Sequence, residues 1–364
     1  MDPKKKAITA AVVGTALGVG GLVVVAMPAS AGDAPKLPQV SAEDLVQSVA
    51  TAKPVPFDGT VTVSNDLGLP KMATGAIPGA SALGVDSAQV FSDGAGKTKV
   101  SLTKGQAQET IIHNGNTVWD YDSKTNSATK TTVPADVATK HKAAEGAEGK
   151  GADPSTAAKE LLAKVRESSN VAVDGTATVA DRPAYELVLT PKPTERTLLR
   201  EIRVAIDSQT RMPLRLSVLS NGTTSPALEL AFSKIEFADQ SPDLFAFTPP
   251  KGAKVTEKQA KIDERDKALA NEAKQATKVV GDGWDTVVTG KVPADLMKQK
   301  QAQGEQKGPD VQKMLSRFAK RVNGPWGSGY LFTTKVGGAV LTDDGRFAAG
   351  AVPEQVLYEA LGAK

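Results

Sequence analysis

The residues LREIRVAIDSQTRMPLRLSVLS (Leu199–Ser220) decide the fold, because they contain two successive runs in which apolar and polar side chains alternate. A period of two with one polar face is typical of an antiparallel strand that is buried on one side only. Runs of the same kind lie before this stretch at residues 184–189 and after it at residues 228–233. We therefore predict one continuous antiparallel sheet with a polar outer face.

Shorter strands extend this sheet toward the N-terminus. Residues Phe57–Ser64 alternate in the same way, and residues 98–122 form a meander of short runs separated by glycine-containing turns. The dipeptide Asn114-Gly115, which joins two of these runs, is typical of a tight β-hairpin. The first 250 residues are therefore expected to be mainly β.

Two helices accompany the strands. Residues Ser41–Ala52 predict the first, in which Ser41 is the N-cap and Asp44 is the acid of a capping box. Asp153 and Pro154 begin the second, as N-cap and first helical residue.

A sheet of about nine or ten strands with one apolar face needs more cover than two helices provide, since neighbouring strands stand ~4.8 Å apart. The sheet can fold on itself into a sandwich, or it can curve into a partly closed barrel around an aliphatic cavity. The segment 67–86, rich in glycine, alanine and proline, is then either a lid or a long loop. Pattern and composition leave both choices open.

The composition excludes several classes of site. The 364 residues contain no cysteine, which rules out disulfides, thiolate nucleophiles and cysteine-bound metals. The two histidines, His113 and His141, are too few for a multi-histidine metal site. With 44 basic and 41 acidic residues, the charge gives no footprint for nucleic acid. We expect no cofactor, no metal and no nucleic-acid partner.

Catalytic motifs also fail. Ser101 and Lys104 match the S-x-x-K pattern of penicillin-recognising enzymes, but they lie in a strand-like run and the partner motifs are missing. His113 adjoins a hairpin turn and His141 lies in a low-complexity stretch, so neither suits a catalytic triad. We expect a protein that is not an enzyme.

Residues 1–31 have the parts of a secretory signal peptide: three lysines, an uncharged run over 7–27 and an A-x-A site ending at Ala31. The competing interpretation is an uncleaved anchor, because 21 helical residues span about 31 Å. The A-x-A site favours cleavage. We expect an exported, extracytoplasmic protein that is soluble after cleavage or is held by the anchor.

The remaining chain divides into three parts. Residues 32–255 form the β domain, residues 256–278 predict a charged helical connector, and residues 279–364 form a small α+β domain.

Several stretches of the β domain together carry a family resemblance. They are LVQSVA (Leu45–Ala50) with FDGTVTVS (Phe57–Ser64), HNGNTVWDYDSKTNSATK (His113–Lys130), IRVAIDSQTRMPLRL (Ile202–Leu216) and LFAFTPPKGAKV (Leu244–Val255). With these stretches in this order, the domain resembles the LolA/RseB superfamily of periplasmic lipoprotein carriers and sensors. The resemblance implies an unclosed antiparallel β-barrel with a helical lid and a cavity for acyl chains. The scarcity of aromatic residues fits an aliphatic lining.

The expected lining of that cavity is aliphatic with a few aromatics. It comprises Val61, Val63, Val100, Leu102, Trp119, Tyr121, Leu187, Leu189, Ile202, Val204, Leu214, Leu216, Leu228, Leu230 and Phe232. Ordinary core packing is the competing interpretation for each of these residues.

Two functions follow from the resemblance. The first is a non-catalytic carrier that holds lipid or lipoprotein acyl chains. The second is an RseB-like regulator that senses lipoprotein-type ligands and binds an anti-sigma factor or another membrane protein through residues 279–364.

Overall fold

The computed structural model describes residues 34–68, 84–134, 154–259, 276–292 and 319–362. The predicted signal peptide, His141 and most of the 67–86 segment lie outside these residues. In the part of the chain that is described, no helix has the length and apolar character needed to cross a membrane.

Twelve strands form one large sheet. They are β1 (Phe57–Asn65), β2 (Ser87–Ser92), β3 (Thr98–Lys104), β4 (Ala107–Asn114), β5 (Thr117–Asp122), β6 (Ser127–Thr132), β7 (Ser169–Val179), β8 (Arg182–Pro191), β9 (Leu199–Asp207), β10 (Pro213–Ser220), β11 (Leu228–Glu236) and β12 (Lys254–Gln259). Their order is β12-β6-β5-β4-β3-β2-β1-β11-β10-β9-β8-β7, with β12 and β7 at the two edges. Neighbours are antiparallel except β12 and β6, which are parallel. The prediction of a mainly β, unclosed antiparallel sheet is confirmed.

Helices α1 (Ala42–Thr51) and α2 (Pro154–Ser168) contact each other and pack at the β7 end of this sheet. The predicted cap of α1 is confirmed, because the hydroxyl of Ser41 accepts the backbone N–H of Asp44 at 3.0 Å and donates to the Asp44 carboxylate at 2.7 Å. Leu45, fully buried, packs from α1 against Tyr185 and Leu187 of β8. The helix therefore covers one face of the sheet over β7–β9.

The register of the strands shows which other residues share this face. Residues that lie directly opposite each other on neighbouring strands have side chains on the same side of a sheet. One such row crosses six strands from β7 to β1: Val173, Leu187, Val204, Leu216, Leu230 and Val63. We call the side that carries this row the α1 face and the other side the opposite face.

At the far end of the sheet, the chain after β11 covers the opposite face. A short 3-10 helix (Pro242–Phe245) buries Phe245, whose carbonyl accepts a hydrogen bond from the Asn114 side chain at 3.2 Å. The ring of Phe247 lies 5.2 Å from that of Trp119 and 5.7 Å from that of Tyr121, between centroids. Both ends of the sheet are covered, on different sides.

A second sheet in the described residues consists of six strands, and one helix packs against it. These are β13 (Thr277–Val280), β14 (Val287–Lys291), β15 (Lys320–Gly324), β16 (Gly327–Thr333), β17 (Gly338–Thr342), β18 (Arg346–Gly350) and α3 (Glu354–Gly362). The strand order is β13-β14-β18-β17-β16-β15. Its core joins Leu357 of α3 to Val287, Leu331 and Val340.

The loop between β8 and β9 fastens the two sheets together. Glu195 accepts the backbone N–H of Trp284 at 2.7 Å, and Arg196 forms two hydrogen bonds with Glu359 at 2.8 and 2.9 Å. The Trp284 indole also donates to Ser169, at the start of β7, at 2.7 Å.

The predicted helical connector over 256–278 requires a correction at both ends. Residues 256–259 continue strand β12, which pairs with β6, and residues 277–278 begin β13. Pairing with an open backbone edge outweighs the helix preference of a charged sequence. The middle of the connector lies outside the described residues.

Candidate functional site

The α1 face carries a continuous aliphatic surface between the helices and the far end of the sheet. We call it the aliphatic band, and its members are Val61, Val63, Val100, Leu102, Leu216, Val218, Leu228, Leu230 and Phe232. Phe232, at the margin of the band, also packs against the buried cluster that contains Leu214 and Ile235. All of them are partly exposed, and Leu216 is 37% exposed. A partly exposed apolar surface that crosses several strands is a candidate contact surface.

Four of the expected lining residues lie at the β8–β9 end of this face. Leu187, Leu189 and Val204 pack in the cluster formed with α1, and Ile202 lies opposite Leu189 and Val218 in the register. Leu187 is only 8% exposed. Here α1 occupies the surface, so these residues form the floor beneath the helix.

Three of the expected residues lie elsewhere. Trp119 and Tyr121 lie on the opposite face, because Tyr121 pairs with Thr110 and Thr110 pairs with Ser101, which alternates with Val100 and Leu102. Leu214 lies at a register shift between β9 and β10 and is buried in a separate cluster. The expected residues therefore do not form one lining.

The aliphatic band meets acidic residues at β4 and β5, where Ile111 is the last aliphatic side chain beside Val100 on the α1 face. Leu102 lies opposite Glu109, and Glu109 lies opposite Asp122. Hydrogen bonds from the backbone N–H groups of Thr125 and Lys124 hold the pKa of Asp122 below its ordinary value. An ionised carboxylate is costly to bury against hydrocarbon, so these acids set the limit of the apolar surface.

Charged side chains keep the opposite face of β8–β10 polar. Arg203 donates to Glu186 at 3.1 Å and to Glu201 at 2.9 Å, and Arg215 also pairs with Glu186. The hydrogen bond from Arg203 is the main reason that the pKa of Glu201 is lowered. Alternation had placed these residues on the polar side, but only the register brings their charges together. Among the described residues, these paired charges therefore occupy the middle of the opposite face of β8–β10.

The candidate catalytic residues do not assemble into a reactive site. Ser101 lies in β3, and its hydroxyl is 3.3 Å from that of Thr110. Exposed His113 places Nδ1 2.9 Å from the Gly96 carbonyl. Within the described ranges, no three metal-ligating side chains from His, Cys, Asp and Glu come together. In the described residues, the hydrogen bonds of Ser101 and His113 do not join a nucleophile to a base.

Comparisons with known proteins give structural neighbours only. No family model and no curated protein matches the sequence. MucB of Pseudomonas aeruginosa in complex with MucA is similar at a TM-score of 0.43 and 14% identity, over 88% of this chain and 96% of that chain.

Two shorter proteins are similar to part of the chain. A LolA superfamily protein from Nitrosomonas europaea has a TM-score of 0.23 at 10% identity, over 57% of this chain and 99% of its own. An uncharacterized conserved protein from Thermus thermophilus has a TM-score of 0.34 at 13% identity, over 60% of this chain and 99% of its own. The neighbours thus include the LolA and MucB proteins that the sequence resemblance predicts. At these scores the likeness assigns no function.

Proposed function

We propose that this chain is an exported, non-catalytic binding protein that holds the acyl chains of a lipid or lipoprotein on its aliphatic band. The observation that carries the proposal is the row from Val173 to Val63. Among the described residues, α1 packs on its β7–β9 part, and Leu216 in the remaining part is 37% exposed. The remaining part of the row consists of Leu216, Leu230 and Val63. Such a surface offers an acyl chain many weak contacts and no hydrogen-bonding groups.

The geometry also gives the proposed direction of binding. Leu216 and Leu230 lie directly opposite each other on β10 and β11, one strand away from the floor beneath α1. A chain laid along this row extends the hydrophobic cluster of α1 rather than starting a new one. The acids at β4 and β5 mark its far limit.

A charge placed in the band tests the proposal. We expect Leu216→Glu to weaken binding of a fluorescent hexadecanoic acid about tenfold or more, since burying a leucine side chain contributes about 1.5–3 kcal/mol. Thr62→Glu is the matched control, because Thr62 is an exposed residue of β1 on the opposite face. Equal binding by both variants, or no binding by the unaltered protein, would contradict the proposal. Native mass spectrometry of protein purified from its host then identifies any bound lipid.

The second candidate function is that of a regulator with a membrane-protein partner, and one observation on the small sheet favours it. Val279 and Val288 lie opposite each other on β13 and β14 and are 67% and 38% exposed. Exposed paired valines near a sheet edge suit contact with another protein. This partner surface is separate from the aliphatic band.

Photo-crosslinking in the host tests the regulator function. We expect a crosslinking residue at position 279 or 288 to capture the same membrane protein, whereas one at exposed position 254, on the edge strand β12, captures none. Identical adducts at all three positions, or none at 279 and 288, would contradict a partner surface on the small sheet. Lipid binding should be unchanged in these variants.

A further inference from the structure

A cavity lies on the opposite face of the large sheet, away from the aliphatic band. Its volume is about 510 Å³, within the range of small-molecule sites. Strands β2–β5 form its floor, and the chain around the 3-10 helix, at residues 241–247, forms one wall. No part of the proposed acyl-chain function uses this cavity.

The floor is a ladder of uncharged hydrogen-bonding side chains. Gln89, Ser101, Thr110 and Tyr121 lie directly opposite one another on four neighbouring strands. They therefore place polar side chains on neighbouring strands about 4.8 Å apart. The Tyr121 hydroxyl itself donates to the Asn126 side chain at 3.1 Å. Gln108, on the same face of β4, adds another amide. This polarity makes the floor unsuitable for an acyl chain.

The hydroxyl groups retain bonding capacity. Ser101 is 5% exposed, and its hydroxyl lies 3.3 Å from that of Thr110. A hydroxyl has one donor and two acceptor positions, so one shared hydrogen bond leaves further positions on both residues.

The walls are apolar and carry balanced charge. Phe91, Leu244 and Phe247 line the cavity beside the ladder. Lys99, whose amino group lies 5.7 Å from the Phe91 ring centre, and Asp243 contribute one charge of each sign. A phosphate or polyanion would need a surplus of cations.

From this arrangement we propose that the cavity binds a short, uncharged oligosaccharide. A sugar ring offers hydroxyl groups along its edge, which the ladder can bond, and C–H faces, which the aromatic wall can contact. Peptide recognition by strand addition requires an open backbone edge. The floor strands β2–β5 are internal, and their backbone groups are paired within the sheet.

The test uses the full mature chain and a panel of neutral trisaccharides built from glucose or N-acetylglucosamine. Binding is followed by calorimetry and by backbone amide NMR. We expect at least one trisaccharide to bind and to shift the amide signals of Ser101 and Thr110 while leaving those of Val63 and Leu230 unchanged.

Isosteric variants identify the ladder as the site. Thr110→Val should raise the dissociation constant about threefold to tenfold, as expected for one lost hydrogen bond. Thr98→Val is the matched control, because Thr98 lies on β3 with its side chain on the α1 face. Ser101→Ala provides a second variant that adds no bulk.

Three results would overturn the proposal. These are failure of every trisaccharide to bind, equal loss of affinity in Thr98→Val and Thr110→Val, and binding of extended peptides in place of sugars at the same amides. None of them bears on the acyl-chain function, because that function is read with a different probe on the other face.

Discussion

At the β7–β9 end of the large sheet, Tyr185 and Leu187 pack beneath α1, whereas at the β4–β6 end Trp119 and Tyr121 pack beneath Phe247 on the other face. The strands between them are continuous. The buried face has changed by strand β4. There Ile111 lies on the α1 face, whereas Ile112, only 2% exposed, lies on the opposite face. The two ends of the sheet therefore have cores on different sides, and the cluster of Leu214 and Ile235 forms a further one.

The difference explains where ligand surfaces can occur. Between the two ends, the described residues form a different surface on each face. The α1 face carries the partly exposed aliphatic band, and the opposite face carries the polar ladder of Ser101 and Thr110 in the cavity walled by residues 241–247. The two surfaces differ in chemistry because neighbouring residues on a strand point to opposite faces.

The largest expected effect comes from removing a side chain of the core at the β4–β6 end, which contains Phe245 and Phe247. Phe245 is 1% exposed, and we expect Phe245→Ala to lower the free energy of unfolding by about 3–5 kcal/mol, the usual cost of deleting a buried ring. Urea denaturation provides the measurement. Hydrogen exchange should show the loss of protection mainly in β3–β6. A loss centred on β7–β9 would mean that the ends are not separate.

Removing the core beneath α1 is the matching change. We expect Leu45→Ala to cost about 2–5 kcal/mol, because Leu45 is fully buried against β8. If the two cores are independent, the double variant with Phe245→Ala should be additive within about 0.5 kcal/mol. A larger interaction energy in urea denaturation would contradict two separate cores.

The sequence indicated the strands better than it indicated the faces. The cap at Ser41 and Asp44 was predictable because it depends on four consecutive residues. The face on which Trp119 lies was not predictable. In TVWDYD (Thr117–Asp122) aromatic residues alternate with acids, and only the contact with Phe247, far along the chain, shows which side of the sheet they cover. The insertion of β1 between β2 and β11 also follows from long-range pairing.

The edge strand β12 shows the same limit. Its sequence, KVTEKQ (Lys254–Gln259), is charged and fully exposed, so it carries no alternation that would predict a strand. Its conformation comes from pairing with β6, where Lys130 forms an ion pair with Glu257 at 3.5 Å. The strand conformation of β12 therefore depends on pairing with a strand that lies far away in the sequence.

Acid provides the next test, because the α1 end contains a fully buried carboxylate. Burial alone would raise the pKa of Asp207, but hydrogen bonds from Arg182 and from the backbone of Thr210 and Gln209 hold it below its ordinary value. A carboxylate with a lowered pKa stabilises the fold above the pKa of the unfolded chain, about 3.9, and that contribution is lost as the pH falls through the folded pKa.

Asp207→Asn measures this contribution. We expect the variant to be about 1.5–3 kcal/mol less stable at pH 7, the usual worth of hydrogen bonds to a charged group. The difference in unfolding free energy between the variant and the unaltered protein, measured by urea denaturation, should be smaller at pH 3. A difference that stays constant between these pH values would show that the charge of Asp207 is not what stabilises this end.

The smallest expected loss of stability concerns the start of α1. It tests how much of the core at this end depends on the helix itself. The Ser41 hydroxyl accepts the backbone N–H of Asp44, so Ser41→Ala leaves that group without its cap, and we expect a loss of about 1 kcal/mol in urea denaturation. Ser41→Asp, which can cap in the same way, should restore most of it. Leu45 directly follows Asp44, whose N–H is capped. Fraying of this turn should therefore loosen the contacts of Leu45 with Tyr185 and Leu187 and leave Phe245 and Phe247 unaffected. Equal loss of hydrogen-exchange protection at both ends would instead indicate that the aliphatic band couples the two cores.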